Sequence, residues 1–236
     1  MSSDSKYTYS FHRVSKTDGI GASAQKCRDL RLKALKASPG SFASTYEAES
    51  ILTDADWIDR ITHPDFELFI CAATLKNDDS QQESEWVGQV TLRGPISRAE
   101  FELPRESGLL PPKSDEEEER WQMLSLFTLS DHRGLGLGAK LCQSALDYLR
   151  SYRSSPDEIQ VRLMVRPTNQ IAVKLYERLG FELTGRATLA EALIASGDEH
   201  LLPKDRSLAQ WTDRTGFLMV SRISRRGVSA FDVEEK

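Results

Sequence analysis

A chain of 236 residues is long enough to bury a core without disulfides or a structural metal. Hydrophobic residues at 39% and charged residues at 28% exclude collagen-like, fibrous and wholly disordered chains. The net charge of -5 argues against a nucleic-acid partner, and the longest apolar stretch, Leu68 to Leu75, is too short to span a bilayer. With a polar N-terminus that lacks a signal-peptide core, the expectation is a cytoplasmic protein without membrane partner, the nucleus being left open.

In chain order, the alternation of Tyr7 to Val14 predicts an opening strand. Cys27, Leu30, Ala34 and Ala37 recur at helical spacing from Ser23 to Ala37, and Ser38-Pro39-Gly40 ends that helix. Thr53 followed by Asp56 forms a capping box, which predicts a second helix over Asp54 to Thr62, stopped before Pro64. Leu68 to Leu75 and Trp86 to Arg93, separated by KNDDSQQES, read as an antiparallel hairpin. Gly94 to Arg120, with four prolines and the acidic run Asp115 to Glu119, predicts a mobile, solvated insertion.

Met123 to Leu129 is almost continuously apolar, as in a strand covered on both faces. A helix with Leu141, Ala145, Tyr148, Leu149 and Tyr152 on one face follows, then an alternating strand over Ile159 to Val165, stopped by Pro167. Ile171 to Leu179 predicts a helix closed by Gly180, and Phe181 starts a strand. Ala187 to Thr215 reads as a second insertion with a helix at Leu189 to Ala195, before a last strand over Phe217 to Ile223. Cys27, Cys71 and Cys142 are odd in number and widely spaced, so they are expected reduced and buried. The four histidines lack metal-ligand spacing, no metal is expected, and Asp198-Glu199-His200 reads as a solvated turn.

The chemistry concentrates in Arg133-Gly134-Leu135-Gly136-Leu137-Gly138-Ala139, between a buried strand and an amphipathic helix. Free N–H groups and the helix dipole there make an anion site, and glycines let a phosphate reach the backbone. A nucleoside-triphosphate loop is excluded because Lys140 follows Ala139 and precedes Leu141. Gly134, Gly136 and Ala139 satisfy the dinucleotide pattern, but the next strand ends in Arg166-Pro167 rather than in an acid. On these residues alone, a nucleotide-dependent oxidoreductase stays as a distant alternative.

The stretch LFTLSDHRGLGLGAKL resembles the coenzyme-A signature of the GNAT superfamily of N-acetyltransferases through Arg133, Gly136 and Gly138. Asn169, Ala172, Leu175, Tyr176, Gly180 and Phe181 resemble the family's second motif, and the order of elements agrees. Ser130, where many members have proline, and the two insertions are departures. The resemblance implies an α/β (α+β) fold with a mixed, mostly antiparallel sheet of about six or seven strands and about four flanking helices. Residues 1–236 would form one domain, with a core at about 7–223 and insertions at about 94–120 and 187–215.

It also implies a co-substrate, acetyl-CoA, and an amine acceptor, a small molecule or a peptide. The pantetheine would pair with backbone groups of Leu126, Phe127 and Thr128 where two strands splay apart. The pyrophosphate would sit on the N–H groups of Gly134, Leu135, Gly136, Leu137, Gly138 and Ala139, with Arg133 leading in. Asn169 would reach the pantetheine while capping its helix, and Tyr176 would protonate the leaving thiolate, a task that suits a neutral phenol. Tyr46, Glu47 and Glu49 lie where the acceptor pocket is expected; their plain reading is surface charge. A module that binds acyl-CoA without catalysis would share the phosphate motifs, and oligomeric state is not readable.

Overall fold

The computed structural model describes residues 6–42, 44–76 and 84–225. The chain runs through β1 (Tyr7–Arg13), α1 (Ile20–Ala37), α2 (Tyr46–Ser50), α3 (Asp54–Thr62), β2 (Phe66–Leu75) and β3 (Glu85–Arg93). After α4 (Arg98–Phe101) come β4 (Glu118–Thr128), α5 (Leu137–Tyr152), β5 (Glu158–Val165) and α6 (Gln170–Arg178). It closes with β6 (Glu182–Ala187), α7 (Leu189–Ala195), α8 (Ala209–Thr212) and β7 (Gly216–Ser224). The strands form one sheet in the order β1-β2-β3-β4-β5-β7-β6, antiparallel except for the β4–β5 pair. This is the mixed, mostly antiparallel architecture that the family resemblance implies. The helix over Asp54–Thr62, with its capping box on Thr53 and Asp56, and that over Leu189–Ala195 match the predicted bounds. Most of KNDDSQQES lies outside the described residues.

The sheet is covered on both faces, which explains why LFICAATL does not alternate with polar residues. Phe69, Cys71 and Ala73 point to the side of α5 and α6, whereas Leu68, Ile70 and Ala72 point to α1 and α3. Successive strand residues face opposite sides, so a strand with two packed faces is apolar throughout. All three cysteines are free and buried. Burial pushes the Cys27 and Cys71 thiols up to about 11 and the Cys142 thiol up to about 12.

The first insertion departs from the expectation of a mobile loop. Ile96, Phe101 and Leu109 pack against Leu218 and Val220 of β7, and Phe101 is fully buried. The acidic run divides: Asp115, Glu116 and Glu117 stay exposed as expected, but β4 begins at Glu118, and Glu118, Glu119 and Arg120 are all buried. Composition mispredicted this stretch because its charges are answered by residues far away in sequence. Glu119 accepts from Trp121 Nε1 at 2.6 Å and pairs with Arg153 and, at 2.6 Å, with Arg225. Arg120 pairs with Asp115 and Glu118 and donates through Nε to Ile96 O at 3.3 Å. Farther along the same face, Arg162 donates to Gln122 at 2.8 Å and to Phe101 O at 2.7 Å, with its guanidinium 3.9 Å from the Phe101 ring centre. Buried charge is tolerable when it is paired and hydrogen-bonded.

Candidate active site

β4 and β5 are paired from Glu118 opposite Glu158 to Met123 opposite Leu163, and the ladder stops there. From Leu124 to Thr128, β4 keeps only β3 as a neighbour. On that side Thr91 faces Leu124 and Gln89 faces Phe127, so β4 carries one extra residue, a bulge in which Ser125 takes a left-handed φ of 57°. The bulge turns the strand as the pairing ends, and the two parallel strands part into a gap open at their C-terminal ends.

Hydrogen-bond alternation decides which backbone groups face that gap. Leu129 N donates to Val87 O at 2.8 Å, so the pairs 129–87 and 127–89 are the hydrogen-bonded ones. The backbone of Phe127 therefore turns to β3, contrary to the expectation that it faces a ligand, while Leu126 and Thr128 turn to the gap. Thr128 O already accepts from Arg133 Nε at 3.0 Å, which ties the following loop to the strand.

That loop leads straight into α5. Gly134 and Gly136 have φ of 78° and 73°, the left-handed region that favours glycine, and Gly136 is the N-cap. Gly138 serves another purpose, since a Cβ there would come 3.3 Å from Leu175 of α6. Among the described residues, no backbone carbonyl or side chain accepts a hydrogen bond from the N–H groups of Gly134 to Ala139. Leu135 is exposed, and the loop lies at the positive end of a 16-residue helix. It is held from outside: Leu137 is buried, and His132 Nδ1 hydrogen-bonds the Tyr9 hydroxyl at 3.0 Å while its ring lies 5.0 Å from Tyr7.

Tyr176, on the buried face of α6, packs edge-on against Phe181 at 5.7 Å. Its hydroxyl makes no hydrogen bond to any described residue. Burial, with a smaller contribution from the Cys142 thiol, pushes the phenol well above its usual range and keeps it protonated. Asn169 caps α6, its Oδ1 accepting from Ala172 N at 3.3 Å, which leaves the amide nitrogen free among the described residues.

The acceptor candidates separate. Tyr46 lies beneath Lys36 Nζ, 4.2 Å from the ring centre, and Glu47 is exposed. Glu49, expected as surface charge, is buried. It accepts from Arg31 Nη2 and Arg60 Nη1, each at 2.6 Å, and from Arg31 Nε. Burial alone would push this carboxyl up; the Arg31 hydrogen bonds and the two guanidinium charges outweigh it and hold it down to about 2. A carboxylate so held is not a proton acceptor near neutral pH. Arg31 Nη1 also donates to Ser125 Oγ at 3.3 Å, which places this cluster beside the bulge. The sequence reading missed Arg31 and Arg60 because they look like ordinary helix-surface cations; the only signal was that Arg31 falls one residue after Leu30 on the apolar side of α1. It also missed Asp198, which the second insertion brings beside the cluster, half-buried rather than solvated.

A model of the acetyltransferase (GNAT) family matches residues 42–181. The chain belongs to this family. No curated protein matches it. Among solved structures, the GNAT acetyltransferase of Streptococcus pneumoniae aligns with a TM-score of 0.55 at 13% identity, covering 92% of this chain and 100% of that one. NAA60 of Arabidopsis thaliana in complex with acetyl-CoA aligns with a TM-score of 0.55 at 17% identity, covering 92% and 99%. The spermidine N-acetyltransferase of Vibrio cholerae, in complex with CoA and spermine, aligns with a TM-score of 0.50 at 14% identity, covering 92% and 95%. At these identities the likeness is one of fold. Within this GNAT chain, no described helix is long and apolar enough to cross a membrane, and no cluster of three or more His, Cys, Asp or Glu that could hold a metal is found among the described residues.

Proposed function

We propose that this GNAT chain transfers the acetyl group of acetyl-CoA to an amine by direct attack in a ternary complex. The observation that carries the proposal is the row of unpartnered N–H groups from Gly134 to Ala139 at the start of α5, beside the gap between β4 and β5. A pyrophosphate supplies the acceptor oxygens that those groups lack, and the gap takes the pantetheine against the backbone groups of Leu126 and the N–H of Thr128, whose carbonyl is held by Arg133. Arg133 leads into the loop and the free Asn169 amide faces the same arm. The folds of NAA60, solved with acetyl-CoA and with a bisubstrate analogue, and of the spermidine acetyltransferase support this use of the site.

The amine nitrogen forms its bond to the thioester carbon, the carbon–sulfur bond breaks, and Tyr176 gives its proton to the departing thiolate while the amine's extra proton leaves to solvent. The raised pKa of the phenol serves this role, because the donor must stay protonated until the sulfur carries charge. Backbone N–H groups of β4 that face the gap are placed to steady the oxyanion. A single domain acting in the cytoplasm completes the reading.

Incubation with acetyl-CoA and a panel of amines, read as thiol release, tests the proposal. Release that depends on an amine supports it. Coenzyme binding without release for any amine would replace it by a non-catalytic acyl-CoA binder, and a melting temperature raised by nicotinamide nucleotides but not by coenzyme A would overturn the site assignment.

A further inference from the structure

The sheet has two edges, and the protein treats them differently. β6, at one edge, is broken by a bulge between Leu183 and Gly185 and has the first insertion pressed onto it, since a Cβ at Gly108 would come 3.3 Å from Thr184 O. β1, at the other edge, runs for seven residues without a bulge, a glycine or a proline, and β2 is its only strand partner. Bulges, prolines and docked loops are among the devices that keep an edge from pairing with another chain, and β1 has no bulge and no proline of its own.

Hydrogen-bond parity decides which groups of β1 lie open. Val14 N donates to Leu68 O at 2.8 Å and Lys76 N to Lys6 O at 3.1 Å, so the even-numbered residues are the ones bonded to β2. The odd-numbered residues turn their backbone outward. Among the described residues, nothing accepts from the N–H groups of Tyr9, Phe11 and Arg13, and nothing donates to their carbonyls. The side chains divide by the same alternation: Tyr9 and Phe11 pack against the core on the side of α5, whereas Thr8, Ser10 and His12 are exposed.

The strand complements itself. Antiparallel pairing with a second copy about a two-fold axis at Ser10 uses all of β1 and sets Tyr9 opposite Phe11, Thr8 opposite His12 and Tyr7 opposite Arg13 of the other copy. Tyr9 and Phe11 then exchange the backbone bonds that each lacks, and aromatic pairs across strands strengthen such a ladder. No two charges of one sign face each other in this register, and Arg13 is already answered by Glu67 at 2.8 Å. An axis at His12 or Arg13 would shorten the ladder and set that residue against itself. We propose that the free edge of β1 is the interface of a symmetric dimer, in which two seven-stranded sheets join into one.

Sedimentation of the full chain over a range of concentrations tests this, and the wild type is expected to reach twice the mass of the chain. Ser10→Lys sets two like charges face to face at the axis and leaves Tyr9, Phe11 and every backbone group in place, so the dimer dissociation constant should rise about tenfold or more. Ser10→Cys gives a second reading that does not depend on how that variant folds. Residues that face each other as a non-hydrogen-bonded antiparallel pair lie about 4.5 Å apart at Cα, so mild oxidation should link two copies through residue 10. Linkage should be slower in Thr8→Cys, which faces His12 of the other copy, and the wild type serves as the blank because its three thiols are buried. A wild type that stays monomeric, a dimer that Ser10→Lys leaves unchanged, or linkage no faster at residue 10 than at residue 8 would each overturn the proposal.

Discussion

The glycine loop before α5 and the Arg31–Glu49–Arg60 cluster beneath α1 lie on opposite faces of the same gap, and they handle polar groups in opposite ways. In the loop, the N–H groups of six consecutive residues find no acceptor among the described residues, and the site is exposed. In the cluster, both oxygens of Glu49 are engaged and the site is buried. Unsatisfied polar groups cost stability and are retained where a ligand completes them, while satisfied buried groups hold elements together. The lesson is that charge and motif alone do not distinguish a ligand site from a structural one; the state of each donor and acceptor does. Tyr176 belongs with the loop by this criterion, and Glu49 does not.

Breaking the open side should give the largest effects. Tyr176→Phe keeps the ring packed on Phe181 and removes only the unpartnered hydroxyl, so kcat is expected to fall about 100-fold to 10,000-fold where chemistry limits the rate, with coenzyme-A affinity unchanged. Steady-state kinetics beside a binding constant check this, and full kcat would return Tyr176 to the closed class. Gly136→Asp introduces a side chain at φ of 73° and a negative charge where phosphate is expected, so coenzyme-A affinity should drop by about 100-fold or more without loss of fold. Calorimetric titration decides it.

Breaking the closed side should cost stability instead. Glu49→Gln leaves the buried Arg31 guanidinium and the partly exposed Arg60 guanidinium without their carboxylate and should destabilise by about 3 kcal/mol in denaturant unfolding. The wild type carries the same contribution in its pH dependence. Because the folded pKa of Glu49 is lowered from 4.5 to about 2, its stabilisation is complete above the unfolded value and is lost as pH falls from there toward about 2. Glu49→Gln should flatten the stability curve in that window. In the docked insertion, Phe101→Ala should cost about 3 kcal/mol, since the ring is fully buried beneath the Arg162 guanidinium. A near-zero cost would restore the mobile loop that composition suggests.

The smallest effect sharpens the boundary between the two regions. Tyr9→Phe removes the 3.0 Å bond to His132, the residue directly before the glycine loop, and leaves the aromatic contacts in place. A loss of about 1 kcal/mol is expected, in acetyl-CoA KM more than in kcat, because the bond steadies the loop and touches no reacting atom.

The sequence by itself determined the element order, the capping box at Thr53, the glycine loop and the Asn169–Tyr176 helix, because each is encoded within a few residues by periodicity, side-chain caps or backbone freedom. The short helices α2, α4 and α8 lack such periodicity and were not legible. Tertiary structure alone decided that Glu118, Glu119 and Arg120 enter the sheet, that Glu49 is clamped, and that Phe127 turns its backbone away from the gap. These outcomes depend on partners from distant parts of the chain, such as Arg153 and Arg225 for Glu119 or Arg31 and Arg60 for Glu49. A local pattern records which groups a residue carries; whether those groups are answered is set only when the sheet and its two insertions close around them.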